Sequence, residues 1–224
     1  YHQYAPFFSE FRHKLLSGES LLYSWDVGMG VNFAALYAYY LASPFNWLLL
    51  LCPSSLIIEF MTYMIVFKSG LAGLSMAWYL KKHTGSQKFG ACYFGVFYAL
   101  SGYMAAYSWN IMWLDCIVLL PLILHGLERL VREKKGLFYC LMLGLSILSN
   151  YYISIMICLF MVIYYVALLF LEKRPGWKDC LHSFFLFGVY SLLAGALAAA
   201  VLLPEIAALQ STASGDFNFP TTLE

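Results

Sequence analysis

The chain has 224 residues, of which 62% are hydrophobic and only 11% are charged. Soluble domains contain about 45–50% apolar and about 25% charged residues, so the composition excludes an ordinary soluble domain. It also excludes an intrinsically disordered chain, because disorder requires low hydrophobicity and high charge. The net charge is +1 without a long basic run, so we expect no nucleic-acid partner. The composition predicts an all-α membrane protein that crosses the bilayer several times.

Residues 1–54 are expected to form an extracytoplasmic loop that carries helices at the membrane surface. Phe7, Phe8 and Phe11 recur at helical spacing beside charged residues, and Gly18 suits the end of a helix. An apolar face beside a charged face is typical of a helix that lies in the membrane interface. The first part of the chain is therefore predicted to form an amphipathic helix on the outer surface.

Two short apolar runs follow, at 32–42 and 45–51. Neither is long enough to cross a bilayer alone, since a straight crossing needs about 20 residues. Joined as one span, they would place Pro44 at its centre and move residues 1–30 to the cytoplasm. We therefore predict two interfacial or re-entrant helices.

Three short basic loops fix the predicted topology, and they contain ten of the thirteen Lys and Arg residues. The positive-inside rule places these loops in the cytoplasm of a multi-pass cell-membrane protein. They lie at 81–88, 128–135 and 172–178. An even number of spans must separate two cytoplasmic loops, which gives about six spans in all. The spans are expected at about 55–80, 89–107, 112–127, 137–149, 152–171 and 181–203, and residues 204–224 then begin an extracytoplasmic segment.

Most of the polar residues near the membrane fall on the outer side of this topology. They are Asp26, Asn32, Asn110, Asp115, Asn150, Glu205 and Asp216. Carboxylates that converge there suit a reaction on a lipid-linked substrate, because one can accept a proton and another can orient a divalent cation. We take Asp26 and Asp115 as candidate catalytic residues. A purely structural role stays open for each, since the ends of helices are commonly wet and acidic.

Lys68 lies near the middle of the predicted span 55–80. A lysine at the centre of a span costs about 2.5–3.5 kcal/mol on insertion scales, so it needs a compensating partner. Glu59 lies nine residues earlier in the chain and faces the opposite side of the same helix. The partner is therefore a carboxylate from another span or a ligand such as a lipid phosphate, and both alternatives stay open.

Trp109 and Trp113 are expected near the outer membrane surface. They suit either an aromatic belt that anchors the protein in the interface or a platform on which a sugar ring stacks. The candidate substrate-binding residues are Lys68, Trp109, Asn110, Trp113, Asn150, Tyr151 and Glu205. No metal ligands can be assigned, although a divalent cation is a candidate cofactor.

The chain resembles the YfhO family of bacterial membrane proteins. The most specific stretch is Trp109-Asn110-Ile111-Met112-Trp113-Leu114-Asp115, which Asp115 completes without departure from the family pattern. Similar stretches run along nearly the whole chain, at 1–8, 18–30, 37–46, 100–103, 120–122, 126–130, 149–152 and 203–204.

This resemblance implies a fold and an activity. The family is similar to the GT-C class of membrane glycosyltransferases, which use a polyprenyl-phosphate sugar at the outer membrane face. It implies transfer of sugars to a cell-envelope polymer such as teichoic acid or to a glycolipid. Members are longer than this chain, so we expect a first span with an acidic residue before Tyr1 and further spans after Glu224. The catalytic acid of GT-C enzymes lies early in the first outer loop, where Asp26 is the best match within this chain.

Two functions remain in competition. The first is an inverting glycosyltransferase whose lipid-linked donor, together with membrane lipid, lies between the spans. The second is a non-catalytic transporter of lipid-linked glycans, or an assembly partner for one. A transporter needs a continuous polar path across the bilayer, whereas the polar residues gather on the outer side and become sparse inward. The sequence therefore favours the enzyme.

Overall fold

A computed structural model describes residues 2–85, 89–171 and 176–210 of the chain, and these are mostly helical. Three helices in this part are long and apolar enough to cross a bilayer, namely Ser54–Thr84, Tyr151–Leu171 and Trp177–Leu197. The all-α, membrane-type fold expected from the composition is thus confirmed. The expected outer segment beyond residue 210, including Asp216, lies outside the described residues, as do parts of the first and third basic loops.

The N-terminal region combines one helix, a small hairpin and a bent pair of short helices. Its elements are α1 (Tyr4–Ser17), β1 (Tyr23–Ser24), β2 (Val31–Asn32), α2 (Phe33–Leu36), a π-helix (Tyr37–Leu41) and two 3₁₀ helices (Pro44–Leu51 and Ser54–Leu56). The two strands pair antiparallel, with Tyr23 opposite Asn32.

Helix α1 forms where the apolar spacing predicts it, and Gly18 ends it in the left-handed conformation at a φ of 69°. Glycine adopts this conformation without steric penalty. The surroundings of the helix differ from the prediction. Phe8 and Phe11 are 1% and 0% exposed, so protein rather than lipid covers the apolar face of α1.

The two apolar runs at 32–42 and 45–51 form a bent pair of helices, as expected. Phe33–Leu41 and Pro44–Leu51 meet at an angle of 101°. The side-chain amide of Asn46 closes the bend by donating to the carbonyl oxygen of Leu41 at 3.0 Å. This geometry occurs in re-entrant loops and in broken spans, where protein must satisfy the exposed backbone groups.

The remaining helices form the bundle. They are α3 (Ile57–Thr84), α4 (Gly90–Ala99), α5 (Gly102–Tyr107), α6 (Leu114–Glu133), α7 (Leu137–Ser149), α8 (Tyr151–Leu171), α9 (Trp177–Leu197) and α10 (Ala199–Gln210). A hydrophobic core joins α6, α7, α8 and α9, with Ile123, Leu127, Tyr139 and Met161 completely or almost completely buried.

Several helix boundaries differ from the predicted spans. The expected span 89–107 is divided into α4 and α5, because Ser101 starts a new helix by accepting a hydrogen bond from the amide of Met104. The expected helix 181–203 ends at Leu197. Helix α6 continues to Glu133, six residues past the predicted end. The count of six crossings stays a prediction.

Candidate functional site

A buried ion pair joins α3 to α6. The ammonium of Lys68 lies 2.6 Å from Oδ2 of Asp115, and the two side chains are 0% and 2% exposed. Lys68 also donates to the hydroxyl of Ser43 and to the carbonyl oxygen of Ile111, both at 3.2 Å. Ser43 in turn donates to Oδ1 of Asp115 at 3.0 Å. The network therefore ties the bend before Pro44 to two helices of the bundle.

This network decides between the two alternatives for Lys68. All three ammonium protons have acceptors within the protein, so its partner is a carboxylate from another helix and not a lipid phosphate. Both oxygens of Asp115 are engaged as well. Asp115 was predicted to be catalytic and Lys68 to bind substrate. In the structure they are enclosed and bind each other, which suits a role in holding the surrounding helices in position.

An aromatic cluster lies at the end of the bundle where α6 and α8 begin. Tyr4 stacks on Trp109 with 6.4 Å between the ring centroids, and Trp113 lies 6.1 Å from Tyr152. Tyr39 links the two sides. The aromatic cluster comprises Tyr4, Tyr39, Tyr40, Tyr107, Trp109, Trp113, Tyr151 and Tyr152. The structure thus brings the predicted residues Trp109 and Trp113 together with Tyr151, which is far from both in sequence.

Two polar side chains that hydrogen-bond to this cluster each keep a buried atom without a hydrogen-bond partner among the described residues. Asn110 accepts from the Tyr4 hydroxyl at 3.1 Å, but its amide nitrogen makes no hydrogen bond. Glu205 accepts from the Tyr151 hydroxyl at 2.7 Å through Oε1, and its Oε2 is unpaired. Buried polar groups are nearly always paired, so both atoms suit contact with a hydroxyl-rich ligand.

Asn150 has a structural role in the same region. Its side chain is fully buried, where it donates to the carbonyl oxygen of Tyr39 at 3.0 Å and accepts from the amide of Ile153 at 3.0 Å. The second contact caps the start of α8. Because both ends of the amide are occupied, Asn150 holds the turn that presents Tyr151 to the cluster.

Asp26 lies in the turn of the β1–β2 hairpin, where it is exposed. Its amide donates to Ser24 Oγ at 3.2 Å, and its carboxylate forms no hydrogen bond or ion pair within the described part of the chain. The Ser24 hydroxyl donates to Glu10 at 2.6 Å, and Glu10 lies 3.6 Å from Lys14. This buried pair on α1 was not predicted from the sequence. Its i,i+4 spacing was the available signal.

An apolar groove of about 770 Å³ runs between α3, α4 and α5. Within its lining, α3 and α4 touch through their backbones: a Cβ on Gly95 would lie 2.6 Å from the carbonyl oxygen of Gly73. Its walls include Ile65, Gly70, Leu74, Val96 and Leu100, and one end reaches Ser108. Ser108 stands between Tyr107 and Trp109 in the chain, so the groove leads to the aromatic cluster.

A buried carboxylate lies toward the other end of the bundle. Oε1 of Glu128 accepts hydrogen bonds from the hydroxyls of Tyr79 and Tyr164 at 2.7 and 2.6 Å, and lies 2.8 Å from Nδ1 of His83. The prediction that placed Glu128 in a basic loop is wrong, because α6 continues to Glu133 and turns the side chain into the bundle. The hydrophobic positions around it, at Leu127, Leu130 and Val131, were the signal in the sequence.

No three His, Cys, Asp or Glu side chains within residues 2–85, 89–171 and 176–210 lie close enough together to bind a metal ion. The candidate acids are separated by their partners: Asp115 binds Lys68, and Glu205 binds Tyr151. These residues therefore do not fit the ligand set of a divalent cation.

Comparison with known proteins agrees with this description. A curated protein of Bacillus subtilis (strain 168), named "Uncharacterized protein YfhO", is 24% identical over 199 residues. The match covers 82% of this chain and 23% of that relative, so the chain spans about a quarter of the relative's length. No solved structure matches the chain. The family model "Bacterial membrane protein YfhO" matches residues 1–224, and the chain therefore belongs to the YfhO family.

Proposed function

We propose that this chain forms part of a GT-C-like membrane glycosyltransferase. The enzyme moves a sugar from a polyprenyl-phosphate donor to a cell-envelope polymer or glycolipid of the teichoic-acid type. One observation carries the proposal: an aromatic cluster, bonded to Asn110 and Glu205 that each keep an unpaired buried polar atom, lies at the end of an apolar groove. Sugar rings stack on aromatic faces, and their hydroxyls pair with amide and carboxylate groups, whereas a prenyl chain needs an apolar channel.

The sugar is bound by the aromatic cluster. Trp109 is more than half exposed, so its face is available for stacking. The amide nitrogen of Asn110 donates to a sugar oxygen, and the free oxygen of Glu205 accepts from a sugar hydroxyl. A ligand that leaves these atoms unpaired binds less tightly, because each buried unpaired polar group costs about 1–3 kcal/mol. These contacts favour a polyhydroxylated ligand over a purely apolar one.

Asp26 is the general base in this proposal. Its carboxylate is exposed and free of partners within the described residues, unlike that of Asp115. The acceptor hydroxyl attacks the anomeric carbon while the bond from that carbon to the phosphate oxygen breaks. Polyprenyl phosphate leaves with the bonding electrons, and Asp26 accepts the hydroxyl proton. A positioned general base contributes about 10²–10⁴-fold to the rate.

The hairpin that carries Asp26 is tied to the elements of the aromatic cluster. The amide of Phe33, at the start of α2, donates to the carbonyl oxygen of Leu22 at 3.0 Å, and α2 leads directly into the π-helix with Tyr39. Ser24 is bound to Glu10 on α1, the helix that carries Tyr4. The hairpin and the cluster therefore share two supporting helices.

The membrane orientation belongs to the same proposal. The basic residues near the ends of α3 and α6 are cytoplasmic, and the aromatic cluster faces outward. Six crossings follow if α4 with α5, α6 and the short α7 also pass through the bilayer. Short or broken segments of this kind are tolerated where protein surrounds them.

Sugar transfer in membranes tests the proposal. Membranes that contain the full-length protein receive a panel of labelled polyprenyl-phosphate hexoses, and labelled envelope glycan is measured. We expect wild-type transfer, a loss of about a hundred-fold or more for Asp26→Asn, and retained activity for the exposed control Glu59→Gln. If the wild type transfers no sugar but moves lipid-linked glycan across the bilayer, the transporter function replaces this one.

A further inference from the structure

A second cavity, of about 490 Å³, lies between α3, α6 and α7 at the end of the bundle opposite the aromatic cluster. Its lining consists of two cations, one acid, one histidine and two aromatic rings: Lys82, Arg129, Glu133, His125, Trp78 and Phe138. None of these residues takes part in the proposed glycosyl transfer. The cavity therefore needs a separate explanation.

The charges of the cavity favour an anion. Lys82 forms no ion pair within the described part of the chain. Arg129 holds Glu133 at 3.2 Å, but Glu133 is shared with Lys135 at 3.3 Å. Glu133 faces the cavity as its only acid within the described residues and neutralises one of these cations. A net positive charge remains at the opening.

His125 adds an unused polar atom. Its Nδ1 is buried without a hydrogen-bond partner among the described residues. The ring lies edge-on to Trp78 at 4.8 Å and 6.1 Å from Phe138, so it forms the inner wall between two aromatic side chains. A ring nitrogen in this position can donate to or accept from an oxygen of a ligand that enters the cavity.

Apolar surface extends from the cavity toward the middle of the bundle. Leu141 and Leu145 follow Phe138 on the same face of α7, and they are 43% and 40% exposed. Helix α7 thus presents exposed leucines next to a cationic opening. Such a surface contributes nothing to the binding of a free anion, whereas it can bury the acyl chains of a lipid.

We propose that this cavity binds the headgroup phosphate of an anionic phospholipid, with its acyl chains along Leu141 and Leu145 on α7. Lys82 and Arg129 attract the phosphate, and His125 contacts the glycerol or phosphate oxygens. Basic pockets between membrane helices bind acidic lipids through the same combination of charge and apolar surface. The site is distinct from the aromatic cluster, so it does not depend on the proposed glycosyl transfer.

Lipid titration of the full-length protein in neutral detergent tests this inference. Phosphatidylglycerol and phosphatidylcholine are compared as ligands by native mass spectrometry. The double variant Lys82→Gln with Arg129→Gln is compared with Lys81→Gln with Lys178→Gln, which removes the same charge outside the cavity. We expect phosphatidylglycerol to bind more tightly than phosphatidylcholine. The cavity variant should weaken phosphatidylglycerol binding by about 25-fold, since each basic side chain near an acidic lipid contributes roughly five-fold.

Three results would overturn the inference. The first is equal binding of the two lipids by the wild type. The second is an equal loss in both double variants, which would indicate general charge attraction rather than this cavity. The third is displacement of phosphatidylglycerol by inorganic phosphate at an equal concentration, which would identify a site for free anions. Thermal unfolding of each variant in detergent confirms that a loss of lipid reflects the site and not the fold.

Discussion

Lys68 and Asp115 are 47 positions apart in the chain, yet their charged groups lie 2.6 Å apart in the interior of the protein. Each comes from a different helix, and Ser43 binds both. A charge near the centre of a membrane helix is expensive, so such a pair is kept only where both partners are present and hydrogen-bonded. The pair thus fixes the bent N-terminal helices against α3 and α6.

Removal of either partner should destabilise the protein strongly. Asp115→Asn leaves the buried ammonium of Lys68 without an opposite charge, and Lys68→Met leaves the buried carboxylate of Asp115 without one. We expect each single variant to lose about 3–5 kcal/mol of unfolding free energy. The double variant Lys68→Met with Asp115→Asn should recover most of that loss, because it buries no unpaired charge. Thermal and denaturant unfolding in detergent measure the cycle.

The exposed acid Glu59 on α3 serves as the control for this cycle, since Glu59→Gln should leave the unfolding midpoint unchanged. Losses that simply add in the double variant would contradict the account, because they would mean that Lys68 and Asp115 act independently. Additivity of that kind is found between sites that share no partner.

The contact between α3 and α4 depends on glycine. A Cβ on Gly95 would lie 2.6 Å from the carbonyl oxygen of Gly73 and 2.9 Å from the Cβ of Ala77. Gly95→Ala should therefore force the helices apart and lower the unfolding free energy by about 1–3 kcal/mol. Gly70→Ala is the matched control, because nothing lies within 4 Å of its added methyl group. It should instead raise stability by about 0.5–1 kcal/mol. Similar effects at both positions would refute the close contact.

Docking of α10 relies on the hydrogen bond from Tyr151 to Glu205. Tyr151→Phe leaves both oxygens of a buried carboxylate unpaired, which should lower stability by about 1–3 kcal/mol. Hydrogen exchange of the α10 amides should accelerate with it. The neighbour Tyr152 is partly exposed and makes no hydrogen bond through its hydroxyl within the described residues, so Tyr152→Phe should change neither quantity. An unaffected α10 in Tyr151→Phe would show that this bond does not hold the helix.

The apolar groove offers a direct test of donor binding. Gly70→Leu places a side chain in the groove without meeting the protein backbone, because its Cβ position is open. We expect the KM for a polyprenyl-phosphate sugar to rise at least about ten-fold, while kcat stays near that of the wild type, since only binding is weakened. Gly188→Leu on the open face of α9 is the matched control. An unchanged KM in Gly70→Leu would exclude the groove as the channel for the lipid.

Sequence patterns predicted the local elements well. Three elements occur where the apolar spacing and the helix-breaking residues predicted them. They are the helix that Gly18 ends, the bent pair around Pro44 and the short α7. The position of Lys68 also predicted that it has a partner, although not which one, because a lone buried charge requires one. These predictions depend on interactions within one segment or on an unavoidable energetic cost.

Long-range packing was beyond the reach of the sequence. Asp115 completes a tryptophan motif that was expected at the outer membrane surface, and only the fold shows that its two oxygens are occupied by Lys68 and Ser43. Glu128 stood in a run of charges that suggested a loop, yet three donors from α3 and α8 surround it. Such partners come from separate helices, and no periodicity within one segment specifies them.

The most direct test of the central claim is photo-crosslinking with a polyprenyl-phosphate hexose that carries a diazirine on the sugar. We expect the labelled peptides to contain Trp109 and Tyr151. The double variant Asn110→Ala with Glu205→Ala should reduce the label. It should change the unfolding midpoint no more than the Tyr151→Phe variant does. Label confined to α9, or label unaffected by the double variant, would contradict the assignment of the aromatic cluster as the sugar site.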